Sequence, residues 1–320
     1  MNARWPVVLW SLLRREFWEG PGAFKWTPIV IFALTLFFVL FALALGSKFD
    51  NEMTYTLDAI RLFADSPIDQ RRMVVSGSLF ASSVIYFQLM VLILLFYLSS
   101  CLYDDRKDRS ILFWKSLPVS DTLTVTSKIL TACLLAPAIY LAAVIATQLA
   151  LLIIASLFGL AAGINPFSAF WLPASLPKMW FVMAVGLIVQ ALWLLPIYAW
   201  LVFCSSWAPR VPILVAVTIP ATIALVQHVW SLLSVFKLPD FNIGYIILKR
   251  LGTGIMPNSI EGRVVGTQSD FSDFQFGEEV FMSLPNVLSY LARVEMWIGI
   301  GIALILLAGA VWFRGRATDS

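Results

Sequence analysis

Long apolar runs alternate with short polar segments along the chain, and six of the runs are long enough to cross a membrane as helices. Crossing about 30 Å of hydrocarbon at about 1.5 Å per residue takes about 20 apolar residues. The runs lie at residues 26–46, 79–102, 125–161, 179–203, 211–233 and 294–313. The fifth is the weakest, because Pro212 and Pro220 interrupt it. The pattern predicts an all-α polytopic membrane protein whose six transmembrane helices form a single transmembrane domain over residues 1–320.

Composition narrows the class of protein. Apolar residues make up 60% of the chain and charged residues 13%, whereas a soluble domain has about 45–50% and about 25%. These values exclude a soluble globular enzyme, a disordered chain and a nucleic-acid-binding module. The chain has one histidine, His228, and its cysteines, Cys101, Cys133 and Cys204, lack the spacing of a metal site. We therefore expect no catalytic residue, metal site or cofactor in this chain.

The distribution of basic residues predicts the orientation in the membrane. Six spans place both termini on one side, together with the segments 103–128 and 204–212. On that side Lys and Arg outnumber Asp and Glu, whereas on the other side they do not. The positive-inside rule therefore places both termini in the cytoplasm. The first apolar run is longer than that of a signal peptide, so we expect a retained span.

Further helical segments are expected at the membrane surfaces. Residues 4–19 place apolar side chains on one helical face, which predicts an amphipathic helix in the cytoplasmic interface; a solvated tail is the alternative. The residues singled out in this helix are Trp5, Leu9, Leu12 and Arg15. The outer segment 234–293 has apolar stretches around a polar, glycine-rich middle. It predicts two short interfacial or re-entrant helices, with a compact external subdomain equally open.

The cytoplasmic loop at residues 103–124 is the most informative polar segment. It begins with a dense cluster of acidic and basic residues, and a short apolar-rich helix candidate follows at 110–117. Pro118 ends this candidate, and Ser120 or Asp121 caps the next helix. A short helix held between two spans is a lever on which a bound protein can push. A loop that only fixes the topology is the alternative.

The residues of this loop resemble a known family. The charge cluster, followed by SILFWKSLPVSD and then TSKIL, is similar to the first cytoplasmic loop of ABC-2 type transporter permeases. The resemblance extends over nearly the whole chain in its organisation: an amphipathic N-terminal helix, six spans, and a membrane-associated outer segment before the last span. One departure is Asp108-Arg109-Ser110, where many family members have an acidic residue followed by glycine.

The resemblance implies the permease subunit of an ATP-binding-cassette exporter in the cytoplasmic (inner) membrane of a prokaryote. The implied partners are an ABC ATPase subunit, a second permease subunit that is identical or a paralogue, and membrane lipid, but no nucleic acid. ATP and Mg would bind to the ATPase, since this sequence contains no GxxxxGK[ST] phosphate loop. This chain would therefore not be an enzyme, and residues 110–118 would form a coupling helix seated in the ATPase.

The resemblance also implies roles for individual loop residues. Ion pairs with the ATPase surface are expected from Asp104, Asp105, Arg106, Lys107, Asp108 and Arg109. Apolar contacts are expected from Ile111, Leu112, Phe113, Trp114 and Leu117, with Pro118 at the end of the coupling helix.

Other classes of function stay open. A stand-alone secondary transporter or channel would give a role to Gln227 and His228, although the chain lacks the row of intramembrane carboxylates that ion-coupled transporters often use. A membrane-embedded enzyme would need clustered histidines or carboxylates, and a non-transporting scaffold is not distinguished by sequence. For an exporter, apolar spans with scattered Ser, Thr, Gln and Trp favour an amphipathic peptide, a lipid-like molecule or a drug over a bare ion.

Truncating the apolar side of the predicted coupling helix tests its role. Trp114→Ala or Leu117→Asp is expected to weaken ATPase binding about tenfold or more, because a buried interface aromatic contributes about 2 kcal/mol or more. The measurement is the amount of ATPase that co-purifies and its rate of ATP hydrolysis. Ser110→Ala is the control, since it removes only a hydroxyl at the start of the same segment. Unchanged association in both test variants would contradict the interpretation.

Overall fold

The computed structural model describes residues 5–46, 52–108, 119–232, 242–254 and 284–316, and all regular structure within these ranges is helical. The α-helices are α1 (Trp5–Glu19), α2 (Thr27–Gly46), α3 (Glu52–Asp65), α4 (Ile68–Ser100), α5 (Tyr103–Lys107), α6 (Asp121–Leu130), α7 (Ala136–Ala161), α8 (Leu172–Ala174), α9 (Leu176–Trp207), α10 (Pro212–Leu232), α11 (Ile243–Gly254), α12 (Leu284–Ser289) and α13 (Val294–Arg316). Short π-helical turns at Gly22–Trp26, Thr131–Leu135 and Phe167–Trp171 lead into α2, α7 and α8, and a 3-10 turn at Tyr290–Ala292 precedes α13.

Six helical segments within the described residues are long and apolar enough to cross a membrane. In chain order, these first to sixth spans are Gly22–Leu45, Ile68–Lys107, Asp121–Ala161, Phe167–Trp207, Pro212–Trp230 and Val294–Arg316. For the described part of the chain, this confirms the prediction of a helical protein with six helices suited to a membrane. The orientation of the spans, and the membrane positions of α1, α11 and α12, stay predictions.

Several helices continue beyond the apolar runs from which they were predicted. The second, third and fourth spans have 40, 41 and 41 residues, which corresponds to about 60 Å of helix. The second begins at Ile68, eleven residues before the apolar run at 79, because backbone hydrogen bonding continues where the side chains become polar. The third begins at Asp121, after the N-cap residue Ser120, whose side chain accepts a hydrogen bond from the Leu123 amide at 3.2 Å. The fifth runs unbroken through Pro220.

Each π-helical turn ends two residues before a proline. The turns end at Trp26, Leu135 and Trp171, and the prolines are Pro28, Pro137 and Pro173. Proline has no backbone N–H, and its ring clashes with the carbonyl four residues earlier, so a wider turn relieves the clash. In the first span the Thr27 hydroxyl donates to the Gly22 carbonyl at 2.8 Å, and the Tyr140 hydroxyl donates to the Ala23 carbonyl at 2.9 Å. The second of these bonds ties the first span to the third.

The fourth span lies at the centre of the bundle, where it contacts the second, third, fifth and sixth spans. Its side chains Met179, Leu194 and Tyr198 are among the largest that are fully buried. The first and fifth spans, by contrast, leave most of their apolar side chains exposed. Lipid or another subunit must cover such faces in a membrane, since apolar side chains favour either over water.

A polar network joins the second, third and fourth spans inside the apolar region. The Gln148 side chain donates to the Leu79 carbonyl at 3.0 Å and accepts a hydrogen bond from Trp180 Nε1 at 2.8 Å. The hydroxyls of Tyr86 and Thr147 are hydrogen-bonded to each other nearby. Helices in lipid gain little from apolar contact alone, so hydrogen bonds of this kind help to fix which residues face each other.

Candidate functional site

Buried charges gather where the ends of α1 and of the second, third and sixth spans meet. Glu16, Asp105, Lys128 and Arg314 are only 1–9% exposed there, and we call this region the charged end. An unpaired buried charge is costly, so these residues are stable only as hydrogen-bonded ion pairs. The pairs therefore identify which elements this end of the bundle holds together.

Glu16 is the centre of the first group of ion pairs. Its Oε2 atom lies 2.8 Å from Lys128 Nζ and accepts a hydrogen bond from the Tyr97 hydroxyl at 2.6 Å, while its Oε1 atom lies 2.9 Å from Arg15 Nη2. Tyr97 belongs to the second span and Lys128 to the third. One carboxylate thus attaches the N-terminal helix to two spans.

The apolar face predicted for the amphipathic helix α1 is the face that packs on the bundle. Leu12 is buried and Leu9 is partly buried, one helical turn apart. Glu16 follows Leu12 by four residues and so points the same way. Arg15 lies beside this face and also pairs with Glu19, with 3.2 Å between the charged atoms. Burial raises the pKa of the Glu19 carboxyl above its usual value, and the Arg15 guanidinium acts in the opposite direction.

Arg314 of the sixth span holds both ends of the predicted coupling loop. Its Nη1 atom donates to Asp105 Oδ2 at 3.0 Å, and its Nε atom donates to Asp121 Oδ1 at 3.2 Å. Asp105 lies before the segment 109–118, and Asp121 lies after it. A single guanidinium therefore fixes the two flanks of this segment to each other and to the last span.

Arg106 and Ser205 attach the same loop to the fourth span. Arg106 Nη2 donates to the carbonyls of Ser205 and Ala208, each at 2.9 Å. The Ser205 hydroxyl in turn accepts hydrogen bonds from the amides of Leu102 and Tyr103, both at 3.0 Å. The start of the loop is thus bonded to the end of the fourth span through both side-chain and backbone atoms.

The predicted charge cluster therefore divides into two groups. Asp105 and Arg106 contact the bundle itself, whereas Asp104, Lys107 and Asp108 are exposed. The remaining predicted interface residues lie outside the described residues: Arg109, Ile111, Leu112, Phe113, Trp114, Leu117 and Pro118. The side chain of Trp5 lies outside them as well. Their roles stay predictions.

Another buried cation lies away from the charged end, beside the middle of the fourth span and the start of the sixth. Arg250 of α11 is 9% exposed. Its guanidinium lies 4.5 Å from the centre of the Trp193 ring and donates to the carbonyls of Trp193, at 3.0 Å, and of Glu295. Burial lowers the pKa of Arg250, and the Glu295 carboxylate opposes this shift. The arginine thus fastens α11 to the fourth and sixth spans.

Close backbone contacts accompany this arginine. A Cβ atom at Gly299 would overlap the Arg250 guanidinium, and one at Gly254 would lie 2.5 Å from the Leu194 side chain. Only glycine allows such an approach without a shift of the neighbouring side chain. Trp193 Nε1 also donates to Thr253 Oγ1 at 2.9 Å. Helix α11 is therefore packed directly on the fourth and sixth spans.

Most of these contacts join residues that no sequence pattern connects. Glu16 and Lys128 lie 112 positions apart, and Arg314 enters the sequence interpretation only through the charge balance. Gln227, considered for a role in an independent transporter, accepts a hydrogen bond from the Ile243 amide at 3.0 Å and so caps α11. Among the described residues there is no group of three or more His, Cys, Asp or Glu side chains arranged to hold a metal ion.

No protein-family model, curated protein or solved structure matches this chain. The assignment of function therefore depends on the residues of the loop and on the geometry of the charged end.

Neutralising Glu16 tests the ion pairs that attach α1. Glu16→Gln is expected to lower the free energy of unfolding by about 3 kcal/mol, because it leaves Lys128 as a buried cation without a carboxylate. Glu19→Gln is the control, since this side chain is 50% exposed and its loss should change the free energy by no more than about 0.5 kcal/mol. Thermal or denaturant unfolding of the purified protein measures both. Removing both charges, as in Glu16→Gln with Lys128→Met, should recover much of the loss, and equal effects of the two single variants would refute the assignment.

Replacing Arg250 tests the attachment of α11. Arg250→Lys keeps the positive charge but cannot stack on Trp193 and bond two carbonyls at once, so we expect faster hydrogen exchange in residues 243–254. Lys249→Gln is the neighbouring control, because Lys249 is partly exposed and lies 3.6 Å from the Glu295 carboxylate. Exchange rates that stay unchanged in Arg250→Lys would show that this arginine does not hold the helix.

Proposed function

We propose that this chain is the permease subunit of an ATP-binding-cassette exporter, driven by a separate ATPase subunit that binds at the charged end. In this proposal the charged end faces the cytoplasm of a prokaryote, and ATP and Mg bind only to the ATPase. A second permease subunit, identical or a paralogue, completes the translocation path. The chain itself makes and breaks no covalent bonds.

The observation that carries the proposal is the position of Arg314 between Asp105 and Asp121. A partner that pushes on residues 109–118 acts on a segment whose two flanks are fixed to each other. The displacement therefore reaches the sixth span through Arg314 and the fourth span through Arg106. A loop that only set topology would not need buried ion pairs, which are costly to form.

Transmission of this displacement would move much of the bundle. The fourth span packs against the second, third, fifth and sixth spans, so a shift at its charged end changes several helix contacts together. Away from the charged end, Arg250 and Trp193 connect the fourth and sixth spans to α11. The same two spans thus link the predicted ATPase surface with the outer segment. The substrate class that fits these apolar spans is an amphipathic peptide, a lipid-like molecule or a drug.

Purification from native membranes is the first experiment. A tagged chain should co-purify with an ATPase that carries a phosphate-loop sequence, and the complex should hydrolyse ATP. The chain alone in liposomes should move no substrate against a gradient. Uphill transport by the isolated chain would instead support a stand-alone transporter, and purification without any ATPase or transport would favour a scaffold.

Arg314→Ala tests the route of coupling. The variant removes both ion pairs that join the two flanks of the loop. We therefore expect the ATPase activity of the co-purified complex to fall at least tenfold, which corresponds to a loss of about 1.4 kcal/mol in coupling free energy. Arg316→Ala is the matched control, because the Arg316 guanidinium lies over the Trp312 ring of the same helix, 3.9 Å from its centre. Arg314→Lys, which retains the charge, should keep part of the activity. Full activity in a well-folded Arg314→Ala protein would overturn this route.

A further inference from the structure

A groove at the charged end combines exposed cations with an apolar wall. It lies between the end of the second span and the turn that leads into the fifth, and it encloses about 470 Å³. Tyr103, Asp104 and Lys107 line it on one side and Arg210 and Ile213 on the other. The groove is separate from the buried ion pairs of Glu16 and Arg314.

The cations of this groove differ from the buried basic residues of the charged end. Lys128, Arg106 and Arg314 are bonded to carboxylates or carbonyls of the chain. Lys107 and Arg210 are exposed, and within the described part of the chain neither forms an ion pair or a side-chain hydrogen bond. With Asp104 also on the wall, the groove keeps one net positive charge. Its electrostatic complement is a ligand with a single negative charge.

An exposed apolar stripe leads from each side of the groove along the spans. On the second span, Leu92 and Phe96 lie at helical spacing on the face that continues to Tyr103 and Lys107. The fifth span begins at Pro212, just after Arg210, and its groove residue Ile213 lies one helical turn before the exposed Val217, with the exposed Leu214 beside them. Phe96 and Leu214 are 56% and 60% exposed. The cations therefore lie where apolar, membrane-facing surface ends, which is the depth of lipid headgroups.

The geometry points to a binding site for an anionic phospholipid, in which Lys107 and Arg210 hold the phosphate and the acyl chains follow the two exposed stripes. Arginine binds phosphate oxygens through paired N–H groups, and lysine adds a point charge. Asp104 accepts hydrogen bonds from headgroup hydroxyls and repels a second phosphate charge, so phosphatidylglycerol fits better than a dianionic headgroup. Such a site requires that the charged end lies at a bilayer surface, and it does not require an ATPase.

The position of the site gives the lipid a structural consequence. Lys107 is the last residue of α5 and lies two residues before the segment 109–118. A phosphate held between Lys107 and Arg210 would connect the start of the coupling loop to the start of the fifth span. The bound lipid would thereby restrict movement of the loop relative to that span.

Native mass spectrometry of the purified full-length chain tests this site. Phosphatidylglycerol or phosphatidylcholine is added in detergent, without ATPase, and bound lipids are counted. The double variant Lys107→Gln with Arg210→Gln is expected to bind phosphatidylglycerol at least about tenfold more weakly, as expected for the loss of two surface cations, with little change in phosphatidylcholine binding. The control removes two other cations of the same end, Lys25→Gln with Arg316→Gln, which lie over Trp26 and Trp312. It should bind phosphatidylglycerol as the unmodified chain does.

Two further variants distinguish a lipid site from a site for free phosphate. Phe96→Ser should weaken phosphatidylglycerol binding because it removes part of the acyl-chain wall, and Lys107→Arg with Arg210→Lys should retain binding because the charges remain. Equal binding by the unmodified chain and the double variant would overturn the proposal, as would an equal loss in the control. Displacement of phosphatidylglycerol by millimolar inorganic phosphate, with no effect of Phe96→Ser, would identify a free phosphate site instead. These results are independent of ATPase binding, so failure of the lipid site leaves the exporter proposal standing.

Discussion

The structure depends above all on charges that are buried in pairs at one end of the bundle. Helices surrounded by lipid gain little from burying apolar side chains against each other, so polar contacts decide which helices meet and in which register. Glu16 attaches the N-terminal helix to the second and third spans, and Arg314 joins both flanks of the loop to the sixth span. Because either partner of such a pair would be costly if left alone in the interior, each pair forms as a unit. The charged end is thereby defined as one connected structure.

The buried contact between α11 and the bundle solves the same problem in a different way. There Arg250 is buried against an aromatic ring and two backbone carbonyls, one of which belongs to Glu295. Carbonyl and ring contacts hold the cation in position without requiring a carboxylate at the same depth. The fourth and sixth spans take part in both arrangements, so they connect the charged end with α11.

The sequence was sufficient for the spans, because membrane insertion depends on the length and apolarity of a segment, and both can be read from one chain. It was not sufficient for their ends: the apolar run at 79 gives no sign that the helix begins at Ile68. The ion pairs could not be predicted from the sequence for a different reason. Nothing in a single sequence shows that Glu16 faces Lys128, because their contact follows from packing between distant segments. Proline has two different effects on the helices: Pro28 and Pro137 follow widened turns, whereas the fifth span continues through Pro220.

The widened turn in the third span also changes how its faces must be assigned. Lys128 and Tyr140 lie twelve residues apart, and in an uninterrupted α-helix their side chains would differ in direction by about 120°. The π-helical turn at Thr131–Leu135 takes up one extra residue, which reduces the difference to about 20°. Both side chains therefore face the N-terminal part of the chain: Lys128 pairs with Glu16, and the Tyr140 hydroxyl donates to the Ala23 carbonyl. A helical wheel drawn through the whole span without this phase shift misplaces the residues after the turn by about 100° relative to those before it.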